Sequence, residues 1–89
     1  MIYTQHGLAR CQQRSIRPEV VDILWTFGAQ GHHRGADILY MTQEARVRAR
    51  RELGRRVFAR MEARLNAYLV VSGDGTLITA GKRRRRLKF

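Results

Sequence analysis

Apolar and polar positions change period several times along the chain, and each change marks an element. From about Gln5 to Ser15, Leu8, Cys11 and Ser15 fall on one side at spacings of three and four. His6, Arg10 and Arg14 fall on the other, which predicts a short helix. Pro18 at a first helical position opens a second helix, with Glu19 well placed in its first turn. Val20, Ile23, Leu24 and Phe27 follow the i, i+3, i+4, i+7 spacing, and Gly28 is expected to stop the helix as its C′ residue. Trp25, Phe27 and Phe58 fit core positions.

Between Ala29 and Met41 the helical period disappears, and two short strands turning near Gly35-Ala36-Asp37 are expected. Ile38 to Met41 reads as a buried strand. A long helix is then predicted from Thr42 or Gln43 to Leu65, with Thr42 as N-cap and Glu44 in the first turn. Leu53, Val57, Phe58, Met61 and Leu65 form its apolar stripe. Gly54 lies on the stripe side at a cost of roughly 1 kcal/mol against alanine, which a close approach to a sheet would justify. Ala67–Ser72 and Thr76–Lys82 flank Gly73-Asp74-Gly75, a hairpin signal, and Lys82-Arg83-Arg84-Arg85-Arg86 is expected to continue the last strand. The order α-α-β-β-α-β-β predicts an α+β fold in one domain over residues 1–89. Its parts are two N-terminal helices, a long Arg-rich helix and a four-stranded antiparallel sheet.

Charge changes this picture more than composition does. The 89 residues are 44% hydrophobic, ordinary for a folded domain, yet the formal net charge is +11. Residues 1–41 are close to neutral, and the excess lies in residues 42–89. Sixteen arginines against two lysines favour bidentate phosphate recognition, although a GC-rich genome would raise the same ratio. So high a charge repels itself unless a polyanion, nucleic acid or an acidic protein, neutralises it. One cysteine, Cys11, excludes an intrachain disulfide framework and fits a reducing cytoplasm. Neither a membrane-spanning run nor a signal-peptide apolar stretch is visible.

Phosphate-binding glycine loops and the nucleophile-elbow motif are lacking, so no cofactor is implied. Cys11 with His6, His32 and His33 makes a poor zinc set, because adjacent histidines on a strand point to opposite faces. Cys11 itself reads as a small core residue. The pattern with chemistry in it is His6-x-x-x-Arg10-x-x-x-Arg14. Spacings of four align an imidazole and two guanidiniums on one helical face. Metal-free RNA cleavage needs such parts: a group that moves a proton near neutral pH, and cations that stabilise the phosphorane. A solvated helix face with aligned charges gives the same spacing. His33, beside His32 and Arg34, is a further acid–base candidate, against a plain polar strand edge. Lys82, Arg83, Arg84 and Arg86, with Arg51 and Arg55 of the long helix, are the candidate nucleic-acid contacts. Few rings are left exposed to stack bases, which counts against single-strand binders of the RRM or OB type.

The His6-x-x-x-Arg10-x-x-x-Arg14-x-Ile16 opening resembles a group of small bacterial proteins of unknown function. So do Gly35-Ala36-Asp37-Ile38-Leu39-Tyr40, Arg51-Glu52-Leu53-Gly54-Arg55-Arg56 and the final basic hairpin. Their usual pattern has glycine where this chain has Ser15, and often a last-strand histidine where it has Lys82. They in turn look like the barnase–EndoU–colicin–RelE fold, which includes ribonuclease toxins of toxin–antitoxin modules. The resemblance implies roles for His6, Arg10, Arg14, Thr79 and the basic residues of the last strand. With Lys82 in place of histidine, acid–base chemistry would fall to His6 or to the His32/His33 pair. The expectation is a metal-independent endoribonuclease acting in the cytoplasm on RNA and restrained by an acidic antitoxin. The alternatives are a non-catalytic RNA- or ribosome-associated module and a protein-binding toxin.

Overall fold

The computed structural model of the protein describes residues 2–83. In chain order its elements are β1 (Ile2–Tyr3), α1 (Gln5–Gln13), α2 (Pro18–Phe27), β2 (Ala29–His33), β3 (Ala36–Tyr40), α3 (Gln43–Leu53), α4 (Arg55–Met61), a 3-10 turn (Glu62–Arg64), β4 (Ala67–Val71) and β5 (Thr76–Lys82). The α+β class and the expected succession of helices and strands hold, with two differences. A short β1 precedes α1, and the long helix is two helices.

Gly54 makes that division. Its φ of 85° and ψ of 157° lie outside the helical region, and no atom stands within 4 Å of where a Cβ would be. The glycine is there for backbone conformation and not for a close approach to the sheet. Because the helical phase restarts after it, Val57 turns outward and is 46% exposed, while Phe58 is buried. Thr42 caps α3 as expected, its Oγ1 accepting from the Ala45 N–H at 3.1 Å.

The sheet order is β1-β5-β4-β3-β2. Strands β2 to β5 pair antiparallel, and β1 joins β5 in parallel, Tyr3 opposite Leu77. The β2–β3 turn is Arg34-Gly35, earlier than expected, with φ of 51° and 79°, the type I′ geometry that matches strand twist. Between β4 and β5 the register slips, so that Val70 faces Thr79 but Val71 faces Leu77. Skipping Ile78 turns Leu77 inward and leaves Ile78 38% exposed.

One face of the sheet carries the core. Leu39, Met41, Ala67, Leu69, Val71, Leu77 and Ala80 are buried there against Cys11, Ile16, the Val20–Leu24 stretch of α2, Ala45, Ala49 and Phe58. The alternate positions Ile38, Tyr40, Tyr68 and Val70 are half-buried on the other face. Three residues depart from expectation. Leu8 is 46% exposed, because α1 buries Gly7 and Cys11 instead. Trp25, 41% exposed, ends near the hairpin turn, where Gly75 approaches it. Gly28 is not left-handed (φ −58°) but leads straight into β2, where a Cβ would lie 2.3 Å from the Leu24 carbonyl oxygen. Among the described residues no helix is long and apolar enough to cross a membrane.

Candidate nucleic-acid interface

Helix α1 is tied to β5 at its first turn. Thr4 Oγ1 accepts from the Gly7 N–H at 2.9 Å and donates to the Leu77 carbonyl oxygen at 2.8 Å. The helix sits so close that a Cβ on Gly7 would fall 2.6 Å from that same oxygen. His6, next to Gly7, is thereby held on the solvent side. Arg10 Nε donates to His6 Nε2 at 3.5 Å, the long limit for such a bond. The pair sets an imidazole beside a fixed cation. It could orient one phosphate and take up one proton.

Arg14 does not extend this face. It is the C-cap of α1, exposed, and the chain then turns at Ser15 with φ 54°. The Ile16 N–H reaches back to the Cys11 carbonyl at 2.8 Å, the closure of a Schellman motif in which the C′ residue is left-handed. Glycine in the resembled pattern is suited to this position; serine tolerates it at some strain.

His33 is not brought near His6. It sits on β2, three strands from β5, a separation of about 14 Å at the usual strand spacing. His32 is engaged locally: its Nδ1 lies 3.1 Å from Asp37 Oδ1. That hydrogen bond, helped by one from Gln30, holds the Asp37 carboxyl below the usual carboxylate range. Burial pushes the Cys11 thiol up, as fits a core residue. Among the described residues no cluster of three His, Cys, Asp or Glu could hold a metal ion.

Four of the candidate nucleic-acid contacts fall into two concavities. Arg51 and Arg55 do meet, with Arg50, Val47 and Gly54, around a cleft of about 400 Å³ at the α3–α4 break. Lys82 and Arg83 line another, together with Arg17 and Arg64, which sequence reasoning did not single out. Only the fold joins those two, and no spacing rule relates positions 17, 64 and 82. Strand β5 ends at Lys82, but the Arg83 N–H still bonds the Asn66 carbonyl at 2.8 Å. The Arg83 guanidinium donates to the Met41 carbonyl at 2.9 Å and lies over the Tyr40 ring, 5.2 Å from its centroid. Arg84 and Arg86 lie outside the described residues.

The electrostatic outcome is simple. Among the described residues, His32–Asp37 is the one ion pair within 4.0 Å, and no arginine is paired with a carboxylate. Glu52 and Arg56 stand at the i, i+4 spacing that pairs such charges on one helix, but form no ion pair here, because Gly54 separates them onto different helices. Comparison with known proteins finds no matching family profile, no matching curated protein and no matching solved structure.

Proposed function

We propose that the protein binds RNA through its phosphate backbone, as a small basic module acting in the cytoplasm. The observation that carries this reading is the set of arginines without carboxylate partners in a chain of net charge +11. Burying or pairing them internally would neutralise the field; leaving them open keeps it for an external polyanion. RNA is preferred to duplex DNA because the cations are dispersed: Arg46, Arg48, Arg50 and Arg51 point to different sides of α3, and Arg17, Arg64 and Lys82 surround a separate cavity, so no one row is offered to a major groove. Fluorescence anisotropy with a labelled single-stranded RNA tests this. The logarithm of affinity should fall linearly with that of salt, by about 0.7 for each phosphate neutralised. A flat salt dependence would refute it.

One contact favours a second reading, metal-independent endoribonuclease activity of the toxin type restrained by an acidic antitoxin. It is the 3.5 Å approach of Arg10 Nε to His6 Nε2. Here His6 would accept the ribose 2′-hydroxyl proton and Arg10 would hold the phosphate. Labelled RNA incubated with excess EDTA should then yield 2′,3′-cyclic phosphate ends, lost in His6→Ala and Arg10→Ala. Intact RNA, both free and ribosome-bound, would leave the binding reading alone.

A further inference from the structure

A cavity of about 390 Å³ opens where the turn between α1 and α2 meets the start of β4 and the end of β5. Ile16 and Ala67 lie beneath it, 6% and 1% exposed, so little of their surface is open. Of the four cations around it, Arg83 is held on the Met41 carbonyl, and the other three, Arg17, Arg64 and Lys82, come from separate parts of the fold. All three are exposed, and none has a side-chain hydrogen bond or ion pair among the described residues. Asn66 adds a neutral donor. Its Oδ1 accepts from Arg46 Nη2 at 2.9 Å, which orients the amide and leaves its NH₂ group to donate. Among the described residues no acidic side chain lines the cavity.

We propose that this cavity binds the terminal phosphate of one nucleoside 5′-monophosphate group among Arg17, Arg64, Lys82 and the Asn66 amide, directly above Ile16 and Ala67. Small-molecule pockets span about 300–1,000 Å³, so the volume suits a single nucleotide and not an oligomer. A terminal phosphate carries a charge of about −1.5 to −2 at neutral pH, whereas an internal phosphodiester carries one. Three cations and an amide lining one cavity therefore favour the terminal group. The group has two sources, a free mononucleotide and the phosphorylated 5′ end of an RNA chain. The second deepens the RNA reading and rests on it; the first does not.

Two measurements separate these. In the first, NMR spectra of the intact protein are recorded with AMP and with adenosine. AMP should shift the Ile16 and Ala67 methyl signals and adenosine should not. In the second, anisotropy compares one RNA oligomer carrying a 5′-phosphate or a 5′-hydroxyl. The phosphorylated form should bind about tenfold tighter, the scale of a charge-assisted contact. The double variant Arg17→Ala/Arg64→Ala should erase that preference, while Arg51→Ala, which removes a charge at the separate α3–α4 cleft, should weaken both RNAs alike. AMP shifts with equal binding of the two RNAs would support the cavity as a free-nucleotide site. AMP shifts with no RNA binding at all would do the same and would defeat the RNA reading alone. Absence of AMP shifts at Ile16 and Ala67, or a 5′-phosphate preference that survives the double variant, overturns the proposal.

Discussion

Gly7→Ala is a substitution whose expected sign reverses between helix propensity and tertiary structure. By propensity alone, alanine in a helix should stabilise by roughly 1 kcal/mol over glycine. In the fold, the added Cβ would stand 2.6 Å from the Leu77 carbonyl oxygen and 3.1 Å from both Leu77 Cγ and Thr4 Oγ1, where ordinary contact begins at 3.4 Å. The nearest of these atoms is backbone in the paired strand β5, so it cannot swing aside; α1 must lift. Overpacking of this kind costs about 1–3 kcal/mol. Stretching the Thr4 Oγ1–Leu77 bond of 2.8 Å removes about 1 kcal/mol more. Set against the propensity gain, the net loss is about 1–3 kcal/mol. Urea unfolding followed by Trp25 fluorescence should show a lower midpoint at unchanged slope. Gly73→Ala, where nothing lies within 4 Å, is the control and should move the midpoint far less. A Gly7→Ala protein as stable as the parent would mean that α1 is not seated on β5 at this distance, and the placement of His6 would fall with it.

Three further outcomes follow from backbone and charge. Gly54→Ala should destabilise by about 1–3 kcal/mol, since φ of 85° disfavours any L-residue, whereas an uninterrupted helix would gain stability; thermal unfolding distinguishes the two. Ser15→Gly should stabilise by up to about 1 kcal/mol by relieving the left-handed C′ position, and a lower melting temperature would contradict the Schellman assignment. His32→Ala should raise the Asp37 pKa towards the ordinary carboxylate value, read by carbon NMR of the carboxyl group. Because the folded-state pKa of Asp37 is depressed, its contribution to stability is present above the unfolded pKa and is lost as pH falls through the folded one. An Asp37 titration unchanged by the substitution would remove His32 as the cause.

Elements with local signals were legible in the sequence. Pro18 and the apolar spacing from Val20 to Leu24 fixed α2, and Gly73-Asp74-Gly75 marked the β4–β5 turn, where Asp74 accepts from the Thr76 N–H. Strand β1 was not legible: two residues have no period, and their pairing depends on a strand far along the chain. Nor was the break at Gly54, for a glycine in an apolar stripe reads the same whether it is helical or left-handed. The His6–Arg10 approach was visible as a spacing of four, and the place of Arg14 beyond the helix end was not. The cavity of Arg17, Arg64 and Lys82 had no sequence signature, because only the packing of separate elements brings these residues together.

The pairing of Tyr3 with Leu77, and of Thr4 with the same residue, also bears on how the chain folds as it is made. Helix α1 is synthesised first, but its docking surface is completed by the last strand. An isolated helix of nine residues is too short to persist in water by itself. The His6–Arg10 arrangement therefore cannot mature while β5 is still within the ribosome. Contacts between such distant positions also slow folding relative to a helical bundle of similar size. A nascent chain of this protein thus exposes the arginines of α3 and α4 before helix α1 is in place.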